Sequence, residues 1–245
     1  SWSRVILLIL VAISMISGIS LLKMQMSMAQ ERRQAAWERE KLAALAWKKE
    51  EGEAAKEERV PKRKTMEEQQ EENSWESPID FACLSDCNPD TVAWLRIPDT
   101  NIDYPVVQSK DNETYMSRDF YGKEKKNGTI FLDFQSELPT GTSQPKNCVF
   151  YGHYMKDGSM FRDIARYQDQ TYFDAHRQIW LYTPQATLEL EAVEWFSMPN
   201  SEKLREQCLT EQTNGTYVFV TCSYDGKDNR GILWAREVSR NEKQP

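Results

Sequence analysis

Hydrophobic positions along this chain change their pattern in stages. From Val5 to Leu22 they are nearly continuous: VILLILVAISMISGISLL carries no charge and has about the length a helix needs to cross a bilayer. From Gln30 to Asn73 they are scattered among alternating charges, as in Glu38-Arg39-Glu40-Lys41. Residues Ala29 to Arg59 are good helix formers without proline and predict a solvated helical stalk, ended by Pro61. Trp37, Leu42, Leu45 and Trp47 keep no heptad, so no coiled coil is expected. If helical throughout, the stalk reaches roughly 45 Å. Val60 to Pro78 is a polar linker.

Beyond Ile79 the pattern shortens into runs of four to eight residues with turn-forming residues between them. They predict a short helix at Ile79–Ser85, strands at Val92–Ile97 and Tyr104–Gln108, a helix at Asn112–Arg118 and a strand at Thr129–Asp133. A loop rich in Gly, Pro and Ser (Glu137 to Pro145) leads to an apolar strand ending at His153. A short amphipathic helix at Gly158–Tyr167 and strands at Gln178–Thr183 and Thr187–Phe196 follow. Ser201–Gln212 reads as a helix with a Ser N-cap. Two last strands, Tyr217–Val220 and Ile232–Ala235, flank a polar turn and form an antiparallel pair. Many short strands of this kind suggest a closed barrel with helices at its edge, a mainly β domain. The chain thus divides into residues 1–23, a membrane anchor; 24–74, stalk and linker; and 75–245, one domain of roughly 165 residues or slightly more, enough for a sizeable core.

Two readings of the apolar run stay open. An uncleaved anchor leaves the rest of the chain outside the cell membrane; a signal peptide would be cut near Ser27-Met28-Ala29. The length of the run favours the anchor, and either puts the bulk of the chain in an extracytoplasmic setting. The net charge of −7 comes without a basic patch, so nucleic-acid binding has no support. No Cys/His spacing matches a zinc site and no acidic loop matches calcium, so neither a metal nor another cofactor is expected.

The candidate chemistry sits at strand ends. Cys222 closes the Tyr217–Val220 run and Arg230 opens the next, so an antiparallel pair brings the two together. A cation favours the thiolate, and the guanidinium fork suits an oxyanion or a substrate carbonyl. The plain alternative is a buried structural cysteine beside a surface arginine. His153 weighs against it: it ends an apolar strand next to Gly152, and its pKa range suits proton transfer. His176, the other histidine, has no such setting and reads as a surface residue. The chain has five cysteines. Cys148 reads as core and Cys208 as an inward helix position, while Cys83 and Cys87 are within reach of pairing. Asp225 and Asp228 are candidates to orient His153 or Arg230, with a turn role as the plainer reading.

Tyr151-Gly152-His153-Tyr154-Met155-Lys156-Asp157-Gly158-Ser159-Met160-Phe161, followed by Thr221-Cys222 and Arg230, resembles a class B sortase. So do Asn88 to Pro98 and Asn101 to Gln108, which extends the likeness over about Ile79 to Val238. These are Gram-positive cysteine transpeptidases. The resemblance implies an eight-stranded sortase barrel, a retained N-terminal anchor, and catalysis by Cys222, His153 and Arg230, with Thr221, Tyr224 and Asp225 in support. It implies cleavage of a sorting-signal peptide after Thr and transfer of the acyl group to an amine of a peptidoglycan precursor, anchoring surface proteins to the wall. A pilin amine would make the enzyme a pilus assembler, and water as acceptor would make it a protease. Papain-like proteases place Cys before His, whereas here His comes first. A surface adhesin on a stalk would leave the three strand-end residues without a role. One departure stands out: typical class B members carry a longer insertion before the cysteine strand, and here it is compact, from Ser197 to Gly215.

Overall fold

A computed structural model describes residues 2–48, 75–139, 147–210, 216–222 and 228–242. Helix α1 (Trp2–Ala46) precedes α2 (Phe81–Cys87). Eight strands follow: β1 (Thr91–Arg96), β2 (Asp103–Val107), β3 (Phe131–Leu132), β4 (Cys148–Gly152), β5 (Gln178–Tyr182), β6 (Ala186–Pro199), β7 (Thr216–Cys222) and β8 (Asn229–Glu242). They close into a barrel in the order β1-β2-β3-β4-β7-β8-β6-β5. Between β4 and β5 lie a 3₁₀ segment (Phe161–Gln168) and α3 (Gln170–Ala175); α4 (Glu202–Thr210) links β6 to β7.

Period-two alternation builds the barrel. On β7, Tyr217 and Phe219 point into the interior with Phe150 of β4 and Leu233 of β8. Val218 and Val220 point outward with Val149 and Ile232, where Leu204 and Cys208 of α4 cover them. A second outer seam gathers Trp94, Val107 and Tyr182 from the sheet with Ile79, Phe81 and Leu84 around α2. The β6–β8 ladder is the longest, from Ala186 opposite Glu242 to Pro199 opposite Asn229.

The stalk differs from its expected form. α1 is continuous through the apolar run and stops at Ala46, short of Arg59; residues 49–59 lie outside the described residues. Trp47 leaves the helix because it bridges Ile79, while Lys48 N–H donates to Pro78 O at 3.0 Å and Asp80 N–H to Ala46 O at 2.7 Å. The end of α1 is not solvated: Ala46 is fully buried, Leu42 and Ala43 pack on the α2 seam, Glu38 pairs with Lys125, and Arg39 donates to Asn101. Side chains in the first half of α1, such as Ile6, Leu10, Ile13 and Ile16, are exposed. Among the described residues no helix is long and apolar enough to cross a membrane, so the spanning helix expected at 1–23 finds no support in the structure.

Smaller corrections have local causes. The helix expected at Asn112–Arg118 is one 3₁₀ turn, Thr114–Met116. Past this turn the chain pairs with a distant segment instead of winding on: Thr129 N–H donates to Tyr115 O and Lys125 N–H to Ser117 O. The strand expected at Thr129–Asp133 pairs only at Phe131–Leu132. The segment at Gly158–Tyr167 starts at Phe161, because Met160 holds a positive φ of 53° and bridges Tyr154. α2 begins two residues later than expected, where the Asp80 carboxylate accepts the Cys83 N–H at 2.9 Å as its N-cap.

Candidate active site

Strands β4, β7 and β8 are neighbours in the barrel. β4 and β7 run parallel with Gly152 opposite Thr221; β7 and β8 run antiparallel with Cys222 opposite Arg230. His153, the residue after β4, therefore arrives at the rim where β7 ends and β8 begins. A cleft of about 230 Å³ opens there, with His153, Thr221 and Arg230 on its wall. The Cys222 side chain, and Tyr224 and Asp225 as whole residues, lie outside the described residues.

The loop at His153 is fixed by close packing. A Cβ on Gly152 would lie 2.6 Å from Phe161 Cγ, so only glycine lets that ring approach the strand. Phe161 N–H then donates to His153 O at 2.9 Å. Gly152 thus serves the packing of Phe161, a role distinct from clearing space for the histidine. His153 Nε2 lies 2.7 Å from Met116 O. A carbonyl only accepts, so Nε2 carries the hydrogen in this geometry. Thr221 is 1% exposed, and its Oγ1 finds no hydrogen-bond partner among the described residues. A buried hydroxyl in that state is costly unless a ligand meets it. Asp228 spends its carboxylate on Asn200 Nδ2, while Asn200 N–H donates to Asp228 O at 2.7 Å. It closes the rim between β6 and β8, a turn role.

Cys148 and Cys83 are not built for attack. Burial pushes the Cys148 thiol up to about 12, which keeps it protonated at any working pH. Burial and the neighbouring Cys87 raise Cys83 as well. Cys83 and Cys87 are free thiols, and Cys208 is buried on the face of α4 that packs on the barrel. His176 is half-buried: its Nδ1 contacts Tyr172 O at 2.7 Å and its ring stacks on Tyr172, a structural role at the end of α3.

Sequence reading missed a polar hub on the same wall. Asp133, just past β3, is fully buried. Its Oδ2 accepts from Arg205 Nε (2.8 Å), Asn112 Nδ2 (2.7 Å) and Tyr151 OH (3.1 Å). Its Oδ1 accepts from Arg205 Nη2 (2.8 Å) and Gln135 N–H (2.9 Å). Burial alone would raise this carboxyl, but the bonds from Arg205, Gln135 and Asn112 outweigh it and hold the pKa below the ordinary carboxylate value. Burial and the adjacent Asp133 charge push Tyr151 up, so it stays a neutral donor. Asn112, Tyr151 and Arg205 all line the cleft. Arg205 lies 72 residues from Asp133 in sequence, and no local pattern announces such a pair.

Comparison with known proteins agrees with this geometry. Residues 95–238 match the sortase domain family. Sortase B of Listeria monocytogenes is 44% identical over 93 residues, which cover 38% of this chain and 37% of that relative, so the match spans little more than a third of the relative's length. Crystalline sortase B from B. anthracis in complex with AAEK1 superimposes with a TM-score of 0.57 at 26% identity, covering 68% of this chain and 88% of that one. The Staphylococcus aureus sortase B–substrate complex shares the fold, with a TM-score of 0.60 at 22% identity over 87% of this chain and 99% of that one. The chain belongs to the sortase family. Within it, these relatives place it in class B.

Proposed function

We propose that this protein is a cysteine transpeptidase that cleaves a sorting-signal peptide after Thr and transfers the acyl group to a cell-wall amine. The observation that carries the reading is the meeting of three strand ends: His153 after β4, Cys222 opposite Arg230 across β7 and β8, and one cleft at that rim. The Cys222 thiolate attacks the Thr carbonyl, and Arg230 holds the oxyanion or the substrate. The C–N bond breaks, His153 gives its proton to the leaving amine, and a thioester remains. A peptidoglycan-precursor amine then attacks, His153 takes its proton, and the thiolate is released. Thr221, buried beside the cleft, is assigned a supporting role through its backbone. Tyr224 and Asp225 are assigned a supporting role. The reaction needs no cofactor. A pilin amine as acceptor or hydrolysis by water are the alternatives within the same chemistry.

The same proposal keeps residues 1–23 as a membrane anchor, on the strength of the apolar run and the exposed Ile and Leu side chains of α1. The catalytic part, residues 75–245, then works outside the cell membrane, close to its substrates.

The test is mass spectrometry of products from a peptide library, with and without an added amine. The expected outcome is a thioester on Cys222, an amine-capped product when amine is present, and no turnover by Cys222→Ala with its fold intact. An active Cys222→Ala protein would overturn the reading; hydrolysis unaffected by amine would make the protein a protease.

A further inference from the structure

The cleft has one wall that the strands do not supply. α4 is only nine residues long. It lies on the outer face of β4, β7 and β8 through Leu204 and Cys208, and Asn147 Nδ2 donates to Cys208 O at 2.9 Å. Apolar contacts of this kind are non-directional and fix neither the rotation nor the slide of a short helix. Arg205 supplies the direction. Its Nε and Nη2 take both oxygens of Asp133 at 2.8 Å, Nη2 also reaches Gln135 Oε1 at 2.8 Å, and its guanidinium lies 4.8 Å from the Phe134 ring centre. Two parallel bonds to a carboxylate that is itself held by Asn112, Tyr151 and the Gln135 amide define one position for α4.

We infer that Arg205 is a positioning residue: its forked pair with Asp133 locks α4 against the turn after β3 and so sets the substrate wall of the cleft. The inference rests on the transpeptidase reading for what the cleft binds. Geometry carries it: Asn112, Tyr151 and Arg205 all converge on one carboxylate, and all three line the same cleft as His153 and Arg230. A buried ion pair adds little net stability over apolar packing of the same shape, so its main effect here falls on where the wall stands. The fork also excludes lysine, which has a point charge and no second parallel donor. With the compact connection of residues 200–215 between β6 and β7, α4 carries the groove-forming task in a short span.

The experiment compares full-length wild type, Arg205→Gln and Arg205→Lys. In peptide turnover both variants should raise KM about tenfold with kcat within about twofold, the signature of lost binding geometry rather than lost chemistry. Lys should not rescue, because charge alone does not restore the fork. Hydrogen exchange supplies a readout independent of the reaction: amides of residues 204–210 should exchange about tenfold faster in both variants, with β7 and β8 amides unchanged. Unchanged KM in an active series, or full rescue by Lys, would overturn the inference. So would faster exchange spread equally over β7 and β8, which would mean that Arg205 serves only global stability. If wild type turns over no peptide, the transpeptidase reading fails by itself, and unchanged exchange at 204–210 would sink the lock separately.

Discussion

Two of the helices on the outside of this barrel, α1 and α4, are held in different ways. The end of α1 lies on the β1–β2 side through an apolar seam with Trp94, Ile79 and Tyr182, trimmed by main-chain bonds at Trp47, Lys48 and Asp80. α4 lies on the β4–β7–β8 side through a smaller apolar patch and one buried carboxylate with five donors. The first arrangement stabilises through area removed from water. The second fixes an orientation, because hydrogen bonds to a buried charge tolerate little displacement. The side with the directional clamp is the side with His153, Cys222 and Arg230. On the α1 side the apolar seam is the larger holding element beside a few polar contacts at Glu38 and Arg39, whereas on the α4 side the apolar patch is small and the directional bonds converge on one carboxylate.

The largest effect expected from breaking this contrast is on the α1 side. A protein starting at Ser74 loses Leu42, Ala43, Ala46 and Trp47 from the seam. At roughly 1.5–3 kcal/mol for a fully buried large side chain, and less for the half-buried Leu42 and Trp47, stability should fall by about 3 kcal/mol. Tm should drop by roughly 6–12 °C for a domain of this size. Peptide kcat/KM at a temperature where the truncated protein is folded should stay within about threefold of the full chain, since no described residue of α1 lines the cleft. Loss of turnover in the folded, truncated protein would make α1 part of the catalytic unit and erase the distinction between the two sides.

A smaller effect, with a pH signature, is expected for Asp133→Asn. The Asp133 carboxyl has a folded pKa below its ordinary value of 3.8. A depressed carboxylate contributes stability that is complete above the unfolded pKa and is lost as pH falls through the folded one. The gap in stability between wild type and Asp133→Asn should therefore be widest near neutral pH and close as the solution is acidified below the ordinary carboxylate range. At neutral pH the gap should be about 2 kcal/mol, less than for a fully buried pair because Arg205 is partly exposed. Urea titrations across the pH range check it; a gap that is constant with pH would show that Asp133 is not ionised in the fold.

The smallest effect should come from Glu76→Gln on the α1 side. The Lys48 ammonium holds Glu76 below the ordinary carboxylate range, but the glutamate lies in open solvent. Exposed pairs of this kind contribute little, so melting curves of the variant and wild type should superimpose. A clear drop in Tm would show that the α1 side too depends on a directional polar contact.

The strands and the strand-end places of His153, Cys222 and Arg230 are legible in the sequence because each depends on local chemistry, whereas the parallel β4–β7 pairing that brings His153 to the same rim joins distant segments. Alternation along Tyr217–Val220 and Ile232–Ala235 marks strands, the turn between them dictates antiparallel pairing, and pairing alone brings Cys222 opposite Arg230. Period-two alternation of side-chain direction is a property of the strand itself, whatever covers its two faces. Helices were read less well where distant groups compete for their backbone. At Asn112–Arg118 the chain past one turn pairs with Thr129 and Lys125, and at Trp47 the chain left α1 to meet Ile79. By itself, then, the sequence determined the strands, their pairing at the cysteine hairpin and which residues stand at the strand ends. Only the tertiary structure decided that the stalk's end is part of the folded surface, that Gly152 makes room for Phe161, and that Asp133 gathers Asn112, Tyr151 and Arg205 into one wall. The physical reason is that a buried charge chooses its partners by where the closed barrel places them, and residues far apart in the chain carry no shared periodicity to reveal it.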